Sequence, residues 1–378
     1  MKKTNISVWL IFFLLLSTQI LGQQTKIDVT IHSRVDTTKA EVKEVAELWI
    51  NYLNSKPDEL YDNPYWNQAE KLKYKSFDFS RAYLYQFPSN QLLGYFKPTI
   101  LSIEKEGDSY GIRTIFSADG LEREYRKSNP WSITKLYAVK ENAEWKLKNA
   151  LPVITENWNR KTIGKITFIF PSDHNFNEEL AINASLFCDR ITEEFQFPEW
   201  DPFDFYITGS GDELGRLLNF DFFFAGYTTG IGMNDNRILL SGLGSEYFPH
   251  EFIHLIVPKY ERHWIIEEGF ATWKGGTMGK TFEESASTLA NEIAVNNSIT
   301  FDDVLNKKWG WQVAAFYTTG AVFCKLAYDK GGVALVKKLL ETPNDNEELI
   351  QSICSLFEIE QDEINTFWRA EVLKFKSK

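Results

Sequence analysis

Apolar residues change their period once along this chain, near residue 155, and that break limits what the sequence can build. Before it, Val42, Val45, Ala46, Trp49, Ile50 and Leu53 recur at helical spacing, so residues 39–54 predict an amphipathic helix. Alternating apolar runs follow at 99–103, 110–116, 131–139 and 145–147. Turn compositions bound them, namely Glu106-Gly107-Asp108, Ala118-Asp119-Gly120, Ser128-Asn129-Pro130 and Glu141-Asn142-Ala143. A helix followed by an antiparallel meander predicts a small α+β domain over residues 23–155.

After the break the rhythm is different. Residues 163–170, 203–208 and 232–241 predict three strands, with a helix over 176–195 between the first two. Residues 283–298, 311–329, 331–341, 346–356 and 360–375 then read as helices by period. Sheet first and helices after predicts a second α+β domain over 160–378, a mixed sheet plus a helical subdomain with a cleft between them. At 378 residues and 43% apolar composition, the chain can bury a sizeable core.

The first 22 residues predict an export signal. Lys2 and Lys3 form a basic end, Val8 to Leu16 an apolar core, and Ser17 to Gly22 a more polar exit with cleavage expected after Gly22. The rival is an uncleaved anchor, but the core falls short of the roughly 20 residues that span a bilayer. The product is therefore expected outside the cytoplasm, periplasmic or secreted, with no stable membrane insertion. Formal net charge is −11, and removing Lys2 and Lys3 takes it to −13. With basic residues scattered rather than clustered, that balance argues against nucleic acid as a partner. Cys188, Cys324 and Cys354 show no zinc-type spacing; a Cys324–Cys354 pair would leave one thiol over.

Chemistry concentrates in HEFIHLIVPKYERHWIIEEGFATW, residues 250–273. His250 and His254 stand four apart, on one face of a helix that Pro249 suits at its first turn and Pro258 ends. Glu251 turns toward the same space. A hydrolytic zinc site needs a third protein ligand and an open position, so another segment must contribute. Glu267 and Glu268 are both in reach, but neighbours on a helix diverge by about 100°, so only one can face the histidines. His263 and the loop residue His174 are the spare imidazoles.

The two segments together resemble the gluzincin metallopeptidases, in which a histidine helix is followed by a second helix reading Trp, apolar residues, then Glu-Gly-aromatic-Ala. By that resemblance Glu268, ahead of Gly269, Phe270 and Ala271, is the third ligand, and Glu267 sits off the metal face. Gly269 is expected to let the second helix lie close to the first. Thirteen residues separate His254 from Glu268, fewer than in the thermolysin-like members, so the resemblance goes to compact secreted branches. Thermolysin-like enzymes brace a histidine with an Asp four residues after the ligand; this chain has Thr272 there, leaving Glu292 or a backbone carbonyl to hold the ring. The first domain is weakly similar to nuclear-transport-factor cones, with no site of its own.

The resemblance implies one zinc ion, Glu251 as general base and a peptide or protein substrate. It implies an oxyanion donor from the helical half, for which Tyr317 is the candidate. It also implies that the strand at 232–237 is an edge that pairs with extended peptide, with Gly230 and Gly232 keeping the approach clear. Trp264, Trp273, Trp309 and Trp311 are candidates to line the pocket. The competing expectation is a silent scaffold or binding protein of the cell envelope that keeps the residues without the reaction.

Overall fold

The computed structural model describes residues 26–85, 88–118, 130–224, 226, 228–258, 261–310 and 313–376. The export segment at 1–22 and Trp311 lie outside the described residues. The chain is α+β and divides into two compact units. One holds residues up to Glu156 together with Gly215–Tyr227, the other Asn157–Leu214 and Thr228–Lys378.

In the first unit, helix α1 (Ala40–Leu53) buries Val42, Val45, Ala46, Trp49 and Leu53, the stripe that its period predicts. Its sheet runs in sequence order through β1 (Thr30–Ile31), β2 (Lys97–Glu106), β3 (Ser109–Ser117), β4 (Ser132–Glu141) and β5 (Glu144–Lys148). Only β1 and β2 are parallel. Asn142 and Ala143, both at positive φ, form the two-residue turn from β4 to β5. Beneath, Asp78 is buried and accepts hydrogen bonds from Tyr52 Oη at 2.5 Å and from Ser80 Oγ at 2.5 Å. A cavity of about 450 Å³ is lined by Glu104, Glu106, Arg113, Lys135, Arg216 and Asp221. Four of those charges neutralise one another, Arg113 with Asp221 at 2.6 Å and Lys135 with Glu106 at 2.8 Å.

The second unit opens on a pair of antiparallel strands. Residues 163–170, expected as one strand, fold back as a hairpin of β6 (Asn159–Ile163) and β7 (Ile166–Phe170). Gly164, at φ +58°, makes the reversal in a conformation that a β-carbon would oppose. Helix α2 (Glu178–Glu194), capped by the Asn177 side chain on Leu180 N–H, carries the chain to β8 (Phe203–Ile207), parallel to β7. A second departure follows, since residues 215–227, expected within the second domain, belong to the first unit. There β9 (Phe220–Phe223) pairs with β4 along Ser132–Thr134.

Residues 232–241, also expected as one strand, are two: β10 (Gly230–Met233) and β11 (Ile238–Ser241). One turn of 3₁₀ helix at Asn234–Asn236 and Arg237 in the left-handed region reverse the chain. The sheet order is β10-β11-β8-β7-β6, a mixed sheet with β10 on its edge.

Six helices of eight or more residues follow among the described residues: α3 (Pro249–Ile256), α4 (Trp264–Gly275), α5 (Phe282–Val295), α6 (Ala315–Leu340), α7 (Asn346–Phe357) and α8 (Ile364–Leu373), with a short helix at Phe301–Leu305 between α5 and α6. Helix α6 covers what its sequence predicts as two segments, with the helical geometry interrupted only at Gly331 and Gly332. The three cysteines are free, so Cys324 and Cys354 are not paired. Among the described residues no helix is long and apolar enough to cross a membrane.

Candidate metal centre

Helix α3 begins with Pro249 in its first turn and ends at Val257, extended ahead of Pro258. Its rotation is set by Phe252, Ile253, Leu255 and Ile256, all buried. The Phe252 ring meets Phe205 of β8 edge-on at 5.6 Å and Phe187 of α2 at 6.4 Å. With that face spent on the core, His250, Glu251 and His254 are left half-buried on the other.

Helix α4 starts at His263, whose Nδ1 accepts a hydrogen bond from Ile265 N–H while its Nε2 lies 3.0 Å from Asn346 Oδ1. His263 is therefore a helix cap and is turned away from the other imidazoles. His174 is committed elsewhere, 2.8 Å from the buried Glu246 carboxylate. Ligand atoms of His250, His254 and Glu268 all lie within 4.8 Å of one another. Glu268 Oε2 is 3.2 Å from His250 Nε2 and 3.7 Å from His254 Nε2. Two imidazole nitrogens and one carboxylate oxygen converging on one point are a donor set that fits zinc.

The far side of each ring is also occupied. His250 Nδ1 is 2.7 Å from the Gly276 carbonyl oxygen, and His254 Nδ1 is 3.7 Å from Glu267 Oε1. Both rings thus present Nε2 to Glu268. The backbone carbonyl and carboxylate are those of Gly276 and Glu267 rather than Glu292. Glu267, expected off the metal face, lies outside the converging ligand atoms, and its carboxylate stands behind His254. Thr272 is buried with its hydroxyl unpartnered among the described residues. The Gly275-Gly276 pair ending α4 was the available signal for the carbonyl, because glycine marks helix C-termini.

Packing assigns the glycines differently from expectation. A β-carbon on Gly269 would overlap the backbone of Gly320 in α6, so its close approach is to the helix of Tyr317. Gly275 is the residue against the histidine helix, where a β-carbon would sit 2.5 Å from His250 N. On β10, a β-carbon on Gly230 would overlap the Phe248 ring, and one on Gly232 would come within 3.7 Å of Glu251 Oε2. These glycines make room for α3 and bring the Glu251 carboxylate beside the edge strand.

Electrostatics follow the same geometry. Burial alone would raise Glu268, but hydrogen bonds and charge from His250 and His254 outweigh it and hold the carboxyl down at about 2. Burial alone would lower His254, and Glu267 and Glu268 reverse that, holding it up at about 10. Tyr317 sits with its ring 6.1 Å from that of His250; burial, with the Glu268 and Glu251 charges, pushes its phenol well above the usual tyrosine value. Trp273 packs on Phe195, Phe270 and Tyr328, and Trp264 on Phe316, so these two serve the packing. Trp309 is partly buried against the same core. Neither the protein-family models nor the curated proteins searched contain a match to this chain.

Proposed function

We propose that this chain is an exported zinc peptidase of the gluzincin kind, with His250, His254 and Glu268 as metal ligands and a peptide or protein as substrate. The observation that carries the reading is the convergence of those three ligand atoms within 4.8 Å, from two helices, with Nε2 of both imidazoles turned inward. Zinc, when bound, supplies Lewis-acid polarisation of a carbonyl and acidifies water from about 15.7 toward about 7.

The protein's own groups supply the rest. Glu251, on the ligand helix but outside the ligand set, accepts the proton of the attacking water and delivers it to the leaving amine nitrogen. Tyr317 keeps its O–H and donates it to the oxyanion that forms at the former carbonyl. Strand β10 has β11 on one side only among the described residues, so its outer edge can hold an extended peptide by backbone hydrogen bonds. That favours peptide over sugar or lipid as substrate. The basic end and apolar core of residues 1–22 support export.

The test measures zinc content and cleavage of a mixed peptide library before and after chelation, with Glu251→Gln alongside. About one zinc per chain in both proteins, with hydrolysis reduced by roughly 10²- to 10⁴-fold in the variant, is expected. Zinc without any chelator-sensitive cleavage would favour the silent scaffold. A chain that takes up no zinc would end the reading.

A further inference from the structure

The two histidines of the candidate centre are held from behind by groups of different character. His250 Nδ1 faces a neutral main-chain oxygen, that of Gly276, at 2.7 Å. His254 Nδ1 faces a charged side chain, Glu267, at ion-pair distance, 3.7 Å. We infer that Glu267 is the positioning residue of the site: its carboxylate keeps the His254 proton on Nδ1 and so directs Nε2, as an electron-pair donor, toward the divalent cation shared with His250 and Glu268. The inference rests on the zinc reading and adds a role for a residue outside the ligand set.

Three observations support the assignment. Glu267 and Glu268 are consecutive on α4, and the helix turns them to different atoms of the same imidazole, Glu267 to Nδ1 at 3.7 Å and Glu268 to Nε2 at 3.7 Å. One ring is thus gripped along its length from a single helix. The backbone carrying both carboxylates cannot drift, because α4 is locked at Gly269 against Gly320 and at Gly275 against His250. Finally, Thr272, one turn after Glu268, is buried with its hydroxyl unpartnered among the described residues, so it offers His254 no acceptor. A carboxylate behind a metal-bound imidazole raises its basicity as well as fixing its orientation, and loss of such a partner costs about 10- to 100-fold in metal affinity.

The experiment uses the full mature chain and zinc itself. Wild type, Glu267→Ala, Glu267→Gln and Glu268→Ala are titrated with zinc against a chromophoric chelator, with thermal unfolding of each metal-free protein as the control for folding. Glu267→Ala is expected to bind zinc about 10- to 100-fold more weakly than wild type, with Glu267→Gln in between because its amide oxygen keeps a partial negative charge but not the full charge facing Nδ1. Histidine-selective ¹H–¹⁵N spectra of the zinc-loaded proteins should show the protected His254 Nδ1–H of wild type shifted or lost in Glu267→Ala, a signature that general loosening would not give. Zinc affinity within about threefold of wild type in both Glu267 variants, with the Nδ1–H unmoved, would overturn the inference while leaving the zinc reading intact. Loss of zinc as complete as in Glu268→Ala would make Glu267 a ligand and also overturn it. Wild type without zinc would overturn both.

Discussion

Gly269 and Gly320 meet backbone to backbone where α4 crosses α6, with no room for a β-carbon on either. Glu268 is the residue before one of them and Tyr317 lies one turn before the other, so this crossing fixes how far the carboxylate stands from the phenol. A methyl group inserted there has to part the helices. Gly320→Ala should destabilise the protein by about 1–3 kcal/mol, the usual cost of overpacking, and weaken zinc binding as well. Urea unfolding and zinc titration of the variant check both, and a variant equal to wild type in both would show the contact to be slack.

Glu268 and His263 give opposite outcomes although five residues apart. Glu268→Ala leaves two imidazoles, an incomplete ligand set, and should lose zinc on dialysis against a weak chelator. His263→Ala removes a cap on α4 and the buried contact to Asn346, so it should lower stability by about 1–3 kcal/mol and retain zinc. Elemental analysis of the two dialysed proteins decides. Retention by the first and loss by the second would move the site to the wrong end of the helix.

Tyr317→Phe removes the proposed oxyanion donor and nothing else of the site. It should keep zinc and lower kcat by about 10²- to 10³-fold. Because burial and two carboxylates raise its phenol above the ordinary value of 10.0, the O–H persists where an ordinary tyrosine begins to ionise. The alkaline fall in hydrolysis should therefore not track a tyrosine titrating near 10. A kcat–pH profile of wild type beside Tyr317→Phe tests this, and an unchanged kcat in the variant would remove Tyr317 from the reaction.

Asp78 in the first unit supplies a pH test of stability. Burial raises its carboxyl above 3.8, more than its hydrogen bonds from Ser80 and Tyr52 lower it. A folded-state value above the unfolded one contributes stability that is complete below the unfolded value and lost as pH rises through the folded one. Replacing it by Asn, which carries no charge at either pH, should therefore compare better with wild type at pH 7 than near pH 4. Urea unfolding of Asp78→Asn at the two pH values reads the difference, and the opposite trend would mean that the hydrogen bonds dominate.

The strands bounded by Gly107 and by Asn142-Ala143 were legible because turn residues punctuate alternating apolar runs. The hairpins at 159–170 and 230–241 were not, because the apolar run at 163–170 has only Gly164 to mark its reversal, and at 232–241 the turn signal Asn234-Asp235-Asn236 is present but reads as part of one strand. Strand β9 escaped because Phe220–Phe223 carries aromatics on both sides and no period separates it from its surroundings. At the site, the four-residue spacing gave the His250 and His254 face outright, since helix geometry alone decides it. The place of Glu267 did not follow, because the 100° that turns it away from the direction of Glu268 says nothing of which ring atom waits on that side. The neighbours of Gly269 and Gly275 depend on how helices far apart in sequence cross, which no local pattern encodes.

The strand at Phe220–Phe223 has a consequence for the order in which the chain can fold. The first unit's sheet lacks its β9 strand until residue 223 has emerged, long after β5 ended at Lys148. At about 5–20 residues per second, the roughly 75 residues between them take about 4–15 s to synthesise. Throughout that interval the backbone of Ser132–Thr134 has no partner on that side, an open edge of the kind that invites pairing with another chain. An N-terminal fragment ending at Glu156 would carry that edge permanently, so the portion that looks most like a free-standing domain is the one least safely made alone.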